Sequence, residues 1–165
     1  MIEHAELRAL LPQRHPILLL DRASVVEPGR RVVGHKAITG SEPCYRDLPD
    51  SASPKSFGYP HCLLLESFGQ AAAVLWLTSD SDGENEDGVL MFAGARDCRF
   101  VGRAYPGDTL HHEVRLEHVI GDNAFASGQT RVGDRVIATF GSLIAVRRPH
   151  SALAAPTPSQ PRPAP

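Results

Sequence analysis

The chain has 165 residues, 42% of them hydrophobic, which suits one domain with a real core. Its 17 basic and 19 acidic residues leave a formal net charge of −2, which excludes a nucleic-acid binder that relies on a basic face. Three cysteines, Cys44, Cys62 and Cys98, with no CxxC spacing, argue against a disulfide framework or a zinc site.

Residues 3–11, "EHAELRALL", read as a short amphipathic helix that stops at Pro12. No basic segment followed by an apolar one opens the chain, and no uninterrupted apolar run reaches the about eighteen residues of a membrane span. The expectation is a soluble, cytoplasmic protein that meets no membrane. From Ile17 the pattern predicts two strands joined by a turn at Glu27-Pro28-Gly29-Arg30. Residues 40–60 are rich in Pro, Ser, Gly and Asp and read as a long functional connection without regular structure.

The next segment, "HCLLLESFGQAAAVLWLT" (61–78), is a helix that is apolar on nearly every side and carries one charged residue, Glu66. The acidic run 79–88 reads as a solvated loop. Four strands in a meander follow, from "VLMFAGARDCRFV" to "RVIATFGSLIAVRR", with turns at Pro106-Gly107-Asp108, Gly121-Asp122 and Gly133-Asp134. In "TLHHEVRLEHVI" the alternation puts His112, Val114, Leu116, His118 and Ile120 on one face. The domain is expected to span 1–148, and the Pro-rich stretch 149–165 to be a disordered tail.

A helix that is apolar all round must be covered all round. An antiparallel sheet curled about it does this, and a sheet edge left open favours a dimer. Three blocks sharpen the reading: "LLPQRHPILLLDR" (10–22), "YPHCLLLESFGQ" (59–70) and "FAGARDCRFVGRAYPGD" (92–108). Together they resemble the signature blocks of the 3-hydroxyacyl-[acyl-carrier-protein] dehydratases.

The resemblance implies an α+β hotdog fold, dimeric, with an antiparallel sheet wrapped around one long central helix. It implies dehydration of a 3-hydroxyacyl thioester to a trans-2-enoyl thioester, in fatty-acid or polyketide-type biosynthesis, with isomerisation as a close variant. No metal or redox cofactor is implied. The substrate rides on the phosphopantetheine of acyl carrier protein, the expected partner. In this family a loop histidine removes the α-proton, a helix acid on the other subunit releases the hydroxyl, and backbone N–H groups at the helix start hold the thioester oxygen.

Glu66 matches the helix acid. A carboxyl among apolar neighbours holds its proton more readily and can pass it to a leaving group. An ordinary glutamate on the helix's one polar stripe is the bland alternative, and Gln70, at i+4, fits either. His61 and Cys62 follow Pro60 at the helix start, where free N–H groups can polarise a carbonyl. Arg96 and Arg99 are candidates for contact with the phosphate of the carrier arm.

The loop histidine is missing. "YRDLPD" (45–50) puts Asp47 at its position, the following connection is longer than usual, and histidine stands at 61 where the family has glycine. Three readings stay open. His61 is the base, although five residues from Glu66 is about 140° round one helix. Asp47 is the base. Or the chain is a half-site or non-catalytic subunit paired with a homologous, histidine-bearing one. Thioester hydrolysis at Glu66 is the alternative from another reaction class.

Overall fold

The computed structural model describes residues 1–79 and 88–149. In chain order these form α1 (His4–Leu10), β1 (Arg22–Glu27), β2 (Arg31–Ala37), α2 (His61–Ser79), β3 (Gly88–Phe100), β4 (Thr109–Ile120), β5 (Asn123–Val132) and β6 (Arg135–Pro149). All strand pairs are antiparallel, in one six-stranded sheet ordered β1-β2-β4-β5-β6-β3. The sheet wraps α2 as a hotdog fold. The acidic run, but for its two ends, and the tail beyond Pro149 lie outside the described residues.

α1 starts with a reciprocal cap between Glu3 and Glu6 and buries Leu7. The β1–β2 turn falls at 27–30 as expected: Gly29 has φ +69°, and Arg30 N–H donates to Glu27 C=O at 3.0 Å. The expected strand at 17–20 does not form. Leu19 and Leu20 are buried, but their N–H groups both donate to Gln70 Oε1 of α2, at 2.9 and 3.4 Å, and pairing begins only at Asp21 N–H to His35 C=O. A side chain distant in sequence takes the place of a neighbouring strand.

The connection 40–60 is more ordered than its composition predicts. It holds 3₁₀ turns at Pro43–Tyr45 and Pro54–Phe57. Glu42 is tied to Lys36 of β2 by a nearly buried ion pair at 2.6 Å, and Tyr45 packs edge-on against Phe57.

α2 lies mainly over β2 and β4. Leu64, Phe68, Ala71 and Leu75 sink into the core, with the Phe68 ring 4.2 Å from that of Phe140. Two glycines seat the helix. A Cβ on Gly34 would stand 2.7 Å from Ala71 Cβ, and one on Gly128 (φ +154°) would meet Glu113 C=O at 2.0 Å and Phe68 Cζ at 3.1 Å. By length and composition alone the span Pro54–Ser79 could cross a membrane, an 18-residue window within it having a mean hydropathy of 1.3. Half of its apolar window is buried, and this apolarity belongs to a core helix.

The expected face of β4 holds through His112, Val114 and Leu116 and then breaks. A bulge between Leu116 and His118 shifts the register, and Ile120 ends 62% exposed. β3 pairs only with β6 and forms an edge of the sheet, with Met91 and Phe92 exposed.

Candidate active site

Because α2 sits over β2 and β4, space remains between its other face and β3, β5 and β6. That space is a cavity of about 130 Å³, lined on the helix side by Cys62, Glu66, Gly69, Ala73 and Trp76, and walled by strand residues such as Leu90 and Leu143. Among the described residues Glu66 is the one ionisable carboxyl in its lining.

Two amides hold Glu66. Its Oε1 accepts from Gln70 Nε2 at 2.9 Å and from Gln13 Nε2 at 3.4 Å. Oε2 has no hydrogen-bond partner among the described residues. Gln70 is 1% exposed, and its other N–H donates to Ile17 C=O at 2.7 Å while its oxygen receives the Leu19 and Leu20 N–H groups. It therefore lies beside Glu66 as its i+4 spacing predicts, with its bonds committed inside the chain.

Gln13 was not singled out from the sequence, although it lies within the first signature block. It lines the cavity, and its Oε1 is buried without a partner. A buried polar atom left unpaired is costly.

His61 and Cys62 open α2. The first helical bond runs from Leu64 N–H to Pro60 C=O at 3.0 Å, so the N–H groups of His61 and Cys62 precede it and are free of intrahelical partners. Cys62 is exposed and lines the slot one turn from Glu66. His61 does not line it. Its ring lies flat on Phe100 of β3, 4.3 Å between centroids and 8° from parallel, and its Nε2 is buried without a partner. Within one chain the two residues do not converge, as their angular separation predicts.

Asp47 is exposed in the connection and lies outside the slot. Arg96 and Arg99 are exposed on β3, beyond the residues 90–92 that line the slot. Among the described residues no histidine lines the slot.

A second polar group lies under α2, next to Glu66. Ser67 O–H donates to Leu64 C=O at 3.1 Å, so the 2.8 Å contact between Ser67 Oγ and His112 Nε2 carries the imidazole's proton. His112 Nδ1 then accepts from Thr130 O–H at 2.8 Å. All three residues are fully buried. Burial first, then the neighbouring His111 and His35, pushes the His112 pKa down to about 3, so the ring is neutral.

Comparison with known proteins gives the following. The FabA-like domain matches residues 11–141. The chain is similar to the 3-hydroxyacyl-[acyl-carrier-protein] dehydratase FabZ of Macrococcus caseolyticus, 32% identical over 136 residues, covering 82% of this chain and 89% of that one. It is 35% identical over 151 residues to the protein of the same name from Chloroflexus aggregans, covering 90% and 99%. Its fold is similar to that of the dehydratase heterocomplex ApeI:P from Xenorhabdus doucetiae, with a TM-score of 0.70 at 19% identity over 89% of this chain and 93% of that chain.

Proposed function

The chain belongs to the FabA-like family, whose 3-hydroxyacyl-[acyl-carrier-protein] dehydratases are hydro-lyases, and from that premise we propose that it removes water from a 3-hydroxyacyl thioester carried on acyl carrier protein. The observation that carries this reading is Glu66, held through one oxygen by Gln70 and Gln13 where it lines an apolar slot. Oε2 protonates the hydroxyl at C3. A base takes the proton from C2, the C3–O bond breaks, and the trans-2 double bond forms as water leaves. The base's proton then returns to Glu66. The free N–H groups of His61 and Cys62 hold the thioester oxygen as charge develops on it. The chemistry calls for no metal or redox cofactor.

The base comes from across a dimer. His61 stacks on its own Phe100 and does not line its own chain's slot, so His61 of a second copy is the candidate, with Asp47 as the alternative. The open edge of β3, with Met91 and Phe92 exposed, suits pairing with a second subunit. A second reading rests on the lack of a histidine among the described residues that line the slot: the partner is a homologous subunit that keeps the loop histidine, and this chain contributes the acid half of a shared site. Arg96 and Arg99 offer exposed cations to the carrier arm. The setting is fatty-acid or polyketide-type biosynthesis in the cytoplasm, and the same proton transfers could isomerise the product.

The test is turnover of a 3-hydroxyacyl carrier protein by the purified chain, read by intact mass as loss of water. Glu66→Gln should lower the rate by about 10²–10⁴-fold, the contribution of a positioned acid or base. His61→Ala should do the same if the copy's histidine is the base, and Asp47→Asn should not. A wild-type chain that turns over only with a histidine-bearing homologue selects the shared-site reading. Release of free acid instead of water identifies a thioesterase and overturns both.

A further inference from the structure

The slot has a length as well as a reacting end. Along its helix side, Glu66 is followed by Gly69, Ala72 and Ala73, whose small side chains leave the lumen open, and then by Trp76. Trp76 is the last residue of α2 in the lining and is 5% exposed. The Arg147 guanidinium lies over its ring, 4.9 Å from the centroid. Leu90, opposite Arg147 in the β3–β6 register, lines the slot on the strand side. The indole is thus a braced wall at the end of an apolar channel that begins at a carboxyl.

We propose that Trp76 is the floor of the acyl slot and restricts the enzyme to 3-hydroxyacyl chains of medium length, an inference that rests on the dehydratase reading above. Ten residues separate Glu66 from Trp76, about 15 Å along the axis. Side chains on one helix lean the same way, so their tips keep that spacing. Van der Waals contact occupies about 4 Å at each end, which leaves about 7 Å between C3 and the terminal methyl. An extended chain advances about 1.2 Å per bond, by analogy with three backbone bonds per residue, so the slot is full at about eight to ten carbons.

Trp76 is the chain's only tryptophan, so intrinsic fluorescence reads this position alone. The full chain is titrated with unreactive acyl-pantetheine amides from butanoyl to hexadecanoyl. The emission change should set in near octanoyl, and affinity should fall about tenfold or more between decanoyl and tetradecanoyl, a discrimination within reach of a closed apolar pocket. In the dehydration assay, Trp76→Ala should raise the tetradecanoyl-to-octanoyl turnover ratio by about tenfold. Ala73→Phe, nearly one turn closer to Glu66, should lower the octanoyl-to-butanoyl ratio.

Emission that is indifferent to chain length, or ratios unmoved in both variants, overturns the proposal. If Trp76→Ala does not fold, Ala73→Phe and the wild-type titration decide. Length-dependent emission without dehydration, alone or with a histidine-bearing homologue, keeps the floor at Trp76 and overturns the dehydratase reading instead.

Discussion

The two faces of α2 are built to opposite rules. The face over β2 and β4 is filled: Leu64, Phe68, Ala71 and Leu75 are at most 1% exposed, and Gly34 leaves room for Ala71. The face over β3, β5 and β6 is hollow, with Gly69, Ala72 and Ala73 between Glu66 and Trp76. The filled face fixes where the helix sits, and so fixes where Glu66 stands. The hollow face adds little packing and holds the chemistry. One helix thus separates stability from function by angle rather than by position along the chain.

The comparison breaks most completely in acid. His112, under the filled face, has its pKa lowered in the folded state to about 3, against an ordinary value of 6.5 when unfolded. The unfolded chain therefore binds this proton first. Stability from this group is complete above pH 6.5 and is lost as pH falls toward 3, at a slope approaching about 1.4 kcal/mol per unit. Urea unfolding across that range should show the loss, and His112→Leu should flatten it.

Phe68→Ala attacks the same face by volume. Its cost is expected at about 3–5 kcal/mol, read as a lower urea midpoint at unchanged slope. The smallest effects come from a pair of glycines, and they sharpen the contrast. Gly34→Ala should destabilise by about 1–3 kcal/mol, because its Cβ has no room beside Ala71. Gly69→Ala meets only Leu143 Cδ2 at 3.7 Å, an ordinary contact, and should stabilise α2 by about 0.5–1 kcal/mol while narrowing the slot. Equal shifts in thermal midpoint for the two variants would abolish the distinction between the faces.

Most of the fold was legible because its signals are local. The apolar helix, the β1–β2 turn and the four later strands follow from periodicity and turn residues. Segment 17–20 was misread as a strand because its backbone partner is Gln70, some fifty residues away. The bulge that ends the buried face of β4 has no mark in the apolar pattern. At the site, Glu66 and Gln70 were visible as a carboxylate and an amide one turn apart. Gln13 and the stacking of His61 on Phe100 were not, since each depends on which strand or loop lies against the helix start.

The strand order has a consequence for how the chain comes to life. β3 is synthesised before β4, β5 and β6, yet its only partner in the sheet is β6, the last strand. On the ribosome β3 must wait, with its backbone unpaired in the sheet, until nearly all the domain has emerged. The wall that encloses one side of the slot is therefore the last part of the sheet to close, after α2 has its seat on β2 and β4. Long-range pairing of this kind slows folding. The interval between making β3 and making β6 is the period in which the nascent protein depends most on protection from its neighbours.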